Sequence, residues 1–463
     1  MSMQIRDMTK GNTTRLLLEF SIPMLIGNIF QQVYNLVDSI IVGRFVGSDA
    51  LAAVGSTGSL SFLFFSFCIG CASGSGVVAS RYFGSKEHDN VRRVVSNSAY
   101  IMLLASIVMA LAGFLLSGPV LRLLNTPDNI YLTARDYLRL MCLGIPLVGI
   151  YNYASAMLRA LGDSRTPLIF LFVSCIVNMV LDIVFVYLFG MGVMGAAVAT
   201  LIAQLISGAG CIFYSYKTNE YFHISRELME ISPKIIKECL RMGSMLAAQM
   251  SMIAVSCIVL QRYVNGFGST AVAAFTATSR IEQIIQQPYG SLGMAISTHA
   301  GQNLGAGHHE RIKEGYRKGM KLILIFSLIM LPVMQIFGES IIGIFVKDSP
   351  EVVRLGATAL RITSIFYVAL GTIYVCRGVM NGIGDAAFAF INGGVEMFGR
   401  IVFPWVLIGY TAFGVWGLWM SAGLTWFISG AFALARYYQK INKLQPSVRH
   451  STCTVPHRCH SAS

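Results

Sequence analysis

Charge is what this sequence lacks. Only 12% of its 463 residues are Asp, Glu, Lys or Arg, where an ordinary soluble chain carries roughly a quarter, and that deficit excludes a protein solvated by water over most of its surface. No polar stretch between Leu16 and Tyr438 is long enough to house a separate soluble domain, so nearly the whole chain is expected to lie in lipid. A cleavable signal is missing as well. The first fifteen residues are polar and lack the basic, apolar, small-residue order of such a segment, which leaves the first helix as the expected insertion signal. Eight of the ten cysteines (Cys68, Cys71, Cys142, Cys175, Cys211, Cys239, Cys257, Cys376) lie in or beside apolar segments, where Cys acts as a small hydrophobe and implies no disulfide framework. No His-Glu metal pair, nucleophile elbow or phosphate loop appears, which argues against an enzyme. The net charge of +13 is scattered between apolar runs and does not form an aromatic-rich basic face, which argues against a nucleic-acid partner.

What is present is a succession of apolar segments. A spanning helix needs about 20 such residues, and the candidates are Leu16–Val42, Leu51–Ala79, Val94–Leu116, Tyr131–Leu158, Pro167–Phe189, Val193–Tyr214, Ile236–Leu260, Ala271–Thr298, Met320–Ile341, Val353–Val379, Phe388–Ile408 and Val415–Ala435. These twelve segments predict an all-α polytopic membrane protein, because every backbone polar group must be satisfied within its own segment and no alternating barrel pattern is visible. With the N-terminus placed inside, 25 of the 35 Lys and Arg residues fall on inner connections and 8 on outer ones. Both termini are therefore expected in the cytoplasm, with the chain multi-pass in the inner (plasma) membrane.

The chain also repeats itself. Gly47-Ser48-Asp49-Ala50-Leu51-Ala52-Ala53 resembles Gly268-Ser269-Thr270-Ala271-Val272-Ala273-Ala274, and Gly84 meets Gly305, at an offset of 221. Leu161-Gly162-Asp163 meets Ile383-Gly384-Asp385, and Gly192-Val193-Met194-Gly195 meets Gly414-Val415-Trp416-Gly417, at 222. Two six-helix halves with the same orientation follow, related by a pseudo-two-fold axis along the membrane normal. The expected organisation is an N-terminal segment 1–15, a first lobe 16–216, a cytoplasmic connector 217–241, a second lobe 242–440 and a disordered tail 441–463. The dinucleotide-like run Gly190 to Gly195 reads as a hairpin between spans, having no acidic residue about twenty positions on. Cys68 and Cys71 are one turn of a membrane helix without a second pair. The tail's His450, Cys453, His457, Cys459 and His460 lack a core to organise a site.

A carboxylate at the bilayer centre costs roughly 3 kcal/mol or more, so such residues carry a functional hypothesis by default. Asp38, Tyr34 and Gln31 are spaced to share one face of the first helix. Asn178 and Asp182 are four apart in the fifth, and Thr200 lies in the sixth. With polar stripes inward, Asp38, Asn178, Asp182 and Thr200 can converge as oxygen ligands for Na⁺ or as a proton-sharing pair, or can be a hydrogen-bonded lock between helices. Two carboxylates in a dry lobe cannot both ionise cheaply, so a proton or cation would compete with a positively charged substrate for the same negative charge. In the second half Asn178 corresponds to Arg400 and Asp182 to Pro404. There Glu396 precedes Arg400 by one turn on the same face and Glu282 lies two residues from Arg280, so these four could form intrahelical or interhelical pairs of a structural kind. Pro23 removes a helix hydrogen bond and permits either a hinge or a static kink.

Taken together, Pro23, Gln31 to Asp38, the Gly47 to Gly55 turn and its echo, Arg159 to Asp163, and Asn178 through Asp182 resemble the multidrug and toxic compound extrusion (MATE) family over nearly the whole chain. The resemblance implies two six-helix lobes in a V shape, alternating access, and export of cationic organic compounds in exchange for H⁺ or Na⁺, without a cofactor, by a monomer in the bilayer. Carried over by motif, Asp38, Asn178, Asp182 and Thr200 match the family's N-lobe cation site, Gln31, Tyr34 and Asn152 its N-lobe substrate cavity, and Pro23 the proline proposed to bend the first helix. Where another branch places acidic residues in the seventh and tenth helices, this chain has Gln249 and Ala369 or Gly371. A flippase for a lipid-linked precursor is the alternative within transport; it should present an Arg- or Lys-lined cavity for phosphates.

Overall fold

In a computed structural model of the protein, residues 6–123, 126–223, 226–346 and 349–443 are described. The histidines and cysteines of the tail lie outside them. The described chain folds into helices joined by short turns. In the first half these are α1 (Thr13–Phe45), α2 (Ser48–Gly84), α3 (His88–Leu123), α4 (Asp128–Leu143), α5 (Ile145–Ala160), α6 (Arg165–Asp182), continued by a π-helical turn at Ile183–Leu188, and α7 (Gly192–Thr218). The second half repeats the order with α8 (Pro233–Asn265), α9 (Ser269–Gly305), α10 (His309–Phe345), α11 (Pro350–Ser364), α12 (Tyr367–Gly382), α13 (Ala386–Gly409) and α14 (Trp416–Ile441). Among the described residues nine of these are long and apolar enough to span a membrane, or eleven if each bent pair, α4 with α5 and α11 with α12, counts as one span. α9 takes the twelfth place in the repeat. It is 37 residues long, and Arg280, Glu282, Gln283, Gln286 and Gln287 dilute its apolar character.

The fold is thus two six-helix lobes, and glycine explains why the repeat is legible in the turns. Gly47 and Gly268 open α2 and α9 at φ 120° and 86°, Gly162 and Gly384 sit at 86° and 80°, and Gly192 and Gly414 at 61° and 52°. A side chain is disfavoured in that left-handed region, so both halves keep glycine at all three turns. Beside Gly162 the Asp163 side chain accepts from the N–H groups of Arg165 and Thr166 at 2.9 and 3.0 Å and starts α6; beside Gly384, Asp385 caps α13 and accepts from Arg436 at 3.0 Å.

Two single spans expected from the sequence are in fact bent, by 45° between α4 and α5 and by 53° between α11 and α12. Gly144 and Phe366, at the two breaks, are separated by the same 222 residues as the turns. Arg377 is one of the 25 positive residues counted on the inner side. It lies inside α12, ion-paired with Glu396 of α13.

The lobes meet along one half of their length. α2 crosses α8 with no side chains between the backbones: a Cβ on Gly74 would stand 2.3 Å from the Gly243 nitrogen, and one on Gly70 2.3 Å from the Ala247 nitrogen. Nearer the end of α2 that carries Gly84, the approach is two-fold related, for a Cβ on Gly84 would strike the Gln302 carbonyl and one on Gly305 the Arg81 carbonyl, each at 1.9 Å. The contacts extend to Ser66 with Ser251 (3.2 Å) and Asn28 with Ser291 (3.3 Å). Toward the other end the lobes diverge, and a Cβ on Gly55 or Gly58 of α2 would meet nothing within 4 Å.

Overpacking a backbone crossing costs about 1–3 kcal/mol or more. Gly74→Leu is therefore expected to lower the thermal unfolding midpoint of the detergent-solubilised protein, whereas Gly394→Leu, whose added side chain begins in open space, leaves it unchanged. Equal midpoints would contradict the close crossing.

Candidate functional site

Inside the first lobe, three helices bring their rare polar residues together. α1 contributes Gln31, Tyr34 and Asp38 from one face, α6 contributes Asn178 and Asp182 one turn apart, and α7 contributes Thr200. Asp182 is fully buried and Asn178 nearly so. Asp182 is also the last residue of α6 before the π-helical turn, a local widening often found at functional sites.

Hydrogen bonding fixes the polarity of the cluster. The Thr200 hydroxyl donates its only proton to the Ala196 carbonyl at 3.0 Å. It must therefore accept from the Asn178 Nδ2 group at 3.2 Å and from the Tyr34 hydroxyl at 3.3 Å. With Tyr34 and Asn178 turned toward Thr200, the acceptor atoms are left over. Asn178 Oδ1, both oxygens of Asp182 and Asp38 Oδ1 are buried and have no hydrogen-bond donor. The Asp38 and Asp182 carboxyls lie within reach of one another, yet two carboxylates have no proton to share, so a bond between them requires one to be added. A water-excluded group of bare acceptors with two nearby negative charges is costly; a proton or a hard cation relieves that cost.

The adjoining cavity is lined by Gln31, Tyr34, Ser174, Asn178, Thr200 and Gln204, among others, and its volume of about 10 Å³ is at the lower limit for one water molecule. Six of the eight residues singled out from the sequence accordingly share this neighbourhood. Asn152 does not line the cavity: its amide donates to Val148 of its own helix at 3.0 Å. Pro23 lies two turns and more from Gln31, within an α1 that continues unbroken through it. Two residues were not singled out. Tyr137 of α4 faces the carboxyl pair, and Gln204, one turn beyond Thr200, lines the cavity with its carbonyl oxygen unpartnered. Gln204 continues the Thr200 face at helical spacing and could have been found that way; nothing in α4 marks Tyr137.

In the corresponding region of the second lobe Glu396 is engaged by arginines, while Glu282 Oε1 is buried without a hydrogen-bond partner. Glu396 is paired with Arg377 and, at 3.5 Å, with Arg400. Asn392 Oδ1 accepts from Arg377 Nη2 at 2.7 Å and from Gln249 at 3.3 Å. Glu282 makes no ion pair with Arg280 and lies in the field of Arg400.

Residues 23–184 and 245–406 each match MatE, the two matches starting 222 residues apart. The chain belongs to the MatE family. Its repeat is thus the family's own repeat, and MATE proteins are multi-pass membrane transporters, not enzymes. Among curated relatives it is similar to "Probable multidrug resistance protein YpnP" of Bacillus subtilis, 30% identical, with 94% of this chain and 97% of the relative covered. It is also similar to "Probable multidrug resistance protein YoeA" of the same organism, 28% identical over 95% and 96%, and to "Probable multidrug resistance protein NorM" of Thermotoga maritima, 25% identical over 88% of each. Among solved structures, one described as an outward-facing conformation of a multidrug resistance MATE family transporter superposes with a TM-score of 0.90 at 22% identity, covering 96% of this chain and 99% of that one. This likeness establishes the fold.

Replacing Asp182 by Asn removes one uncompensated buried charge and supplies a donor to Asp38. Asp182→Asn is expected to raise the thermal midpoint of the purified MATE protein at neutral pH, a gain of the order of 1–3 kcal/mol, measured by intrinsic-fluorescence melting. A lowered midpoint would show that Asp182 is already satisfied.

Proposed function

We propose that this MATE protein is an antiporter that exports cationic or amphipathic organic compounds, exchanging them for H⁺ or Na⁺ by alternating access. The observation that carries the reading is the set of donorless oxygens on Asp38, Asp182 and Asn178. Such a set attracts one positive occupant, and a second is disfavoured once the charge is neutralised. In this scheme Asp38 and Asp182 bind the coupling ion, and Asn178 and Thr200 complete the site. An arriving proton or Na⁺ cancels the charge that held the substrate cation and releases it; departure of the ion restores the charge for the next substrate. Gln31 and Tyr34 form the substrate-facing edge, with the Tyr34 ring suited to a flat cation. Asn152 is assigned to the same substrate path by family resemblance alone, and Pro23 to a hinge in α1.

The excess of Lys and Arg on one set of connections orients the chain with both termini in the cytoplasm of a plasma (inner) membrane. The end at which α2 crosses α8 and α9 is then the closed cytoplasmic side, and the diverging end faces outward. The two lobes, 16–216 and 242–440, linked by 217–241, would rock about this crossing as a monomer. Relatives named for multidrug resistance support a drug-like substrate class. Against a phosphate-bearing lipid precursor stands the engagement of both Arg377 and Arg400 by Glu396, which ties up donors that a phosphate clamp would need.

The test is ethidium efflux from intact cells or everted vesicles under imposed pH and Na⁺ gradients. Asp38→Asn is expected to remove gradient-driven efflux while the protein still reaches the membrane. Full efflux in that variant would take Asp38 out of the mechanism, and the gradient that drives the wild type names the ion.

A further inference from the structure

The segment before α1 reads as a polar, solvated tail, but it is held tightly. Met8 is fully buried and Thr9 nearly so. The Met8 side chain belongs to the apolar cluster of the second lobe that includes Ile296, Ala300 and Ile312. Its backbone is bonded at both groups: the N–H donates to Gln302 Oε1 at 2.9 Å, and the carbonyl accepts from Asn303 Nδ2 at 3.1 Å and from Arg311 Nη2 at 3.4 Å. Arg311 also donates to the Gly11 carbonyl at 3.1 Å.

The seat is shared by both lobes. Gln302 of α9 donates through its other end to the Ala160 carbonyl at the end of α5, at 2.9 Å. Next to Ala160, Gly162 leaves just enough room for the segment, since a Cβ there would lie 2.2 Å from the Arg6 carbonyl. Arg6 is itself ion-paired with Glu19 of α1. One amide side chain therefore joins the second lobe, the first lobe and the segment at a single point. If the lobes separate at this end, Gln302 leaves Ala160 and the seat for Met8 is broken in two.

We propose that residues 6–12 act as a strap that binds the seam between the lobes only while the cytoplasmic end is closed, and so bias the carrier toward its outward-facing state. This rests on the alternating-access reading above. A ligand shifts a two-state equilibrium by its differential affinity for the two states, and the strap is such a ligand, tethered to the helix that carries Tyr34 and Asp38. Movement of α1 would draw the strap out of its seat, coupling occupancy of the ion site to release of the cytoplasmic closure.

Hydrogen exchange measured by mass spectrometry on the full chain in lipid nanodiscs tests this. Met8→Asp places a charge in the apolar seat without altering any helix, Gln302→Leu removes the bridging amide, and Met8→Leu keeps the seat filled. Met8→Asp and Gln302→Leu should each speed exchange roughly tenfold in peptides covering 78–85 and 296–305, the shift expected from losing one or two hydrogen bonds, and should slow exchange at the opposite ends, 48–62 and 255–265. Met8→Leu should match the wild type. If both disruptive variants match the wild type, or loosen the cytoplasmic end with no protection gained outside, the strap is only structural packing and the proposal falls. The underlying reading is judged separately on the wild type, by comparing exchange with and without ethidium across pH. If the two ends never move in opposite senses there, alternating access fails and the strap with it.

Discussion

A small group of oxygens with nothing to accept from organises this protein. Thr200 spends its proton on its own helix and thereby turns Tyr34 and Asn178 toward itself, which leaves Asn178 Oδ1, Asp182 and Asp38 facing one another without a donor. In water this arrangement would be trivial; inside a membrane lobe it is a standing cost that α1, α6 and α7 must be packed well enough to bear. In the proposed exchange the same cost is what makes the site useful, because a group that is poorly satisfied when empty and well satisfied with one positive charge can hand that charge between competitors.

The sequence made this site legible because polar residues in an apolar helix are conspicuous and helical spacing says which of them share a face. Asp38 with Tyr34 and Gln31, and Asp182 with Asn178, were visible on those grounds alone. Tyr137 was not, since it is one of 19 tyrosines and its place depends on how α4 is rotated against α7, which no single helix records. The bends were hidden for a related reason: Gly144 is an unremarked glycine and Phe366 no helix breaker at all, yet both sit at the same place in the repeat. The pairing of Arg377 with Glu396 was hidden because a count of positive charges along the chain cannot see a carboxylate on a neighbouring helix. Met8 was the least visible of all, one of a few apolar residues in a mostly polar stretch.

The two halves have kept a common scaffold and different contents. Turn glycines recur because the backbone there needs a left-handed residue, whatever the lobe does. Where the first half has Asn178 the second has Arg400, and its partner Glu396 is held by two guanidiniums. The first lobe gathers two carboxyls without donors, and the second sets Glu396 between two guanidiniums and leaves Glu282 Oε1 without a partner, so one scaffold carries different polar contents in its two halves.

The reciprocal contact of Gly84 with Gln302 and of Gly305 with Arg81 bears on how the lobes would part in the proposed alternating access. Each glycine is pressed against a carbonyl of the opposite bundle with no flexible side chain to yield, so neither contact can stretch by a fraction of its travel and persist. Rotation about an axis between them breaks both together. In that scheme separation at that end would be abrupt, with few half-parted molecules at any instant, and a pore leaking through both faces at once would be correspondingly rare.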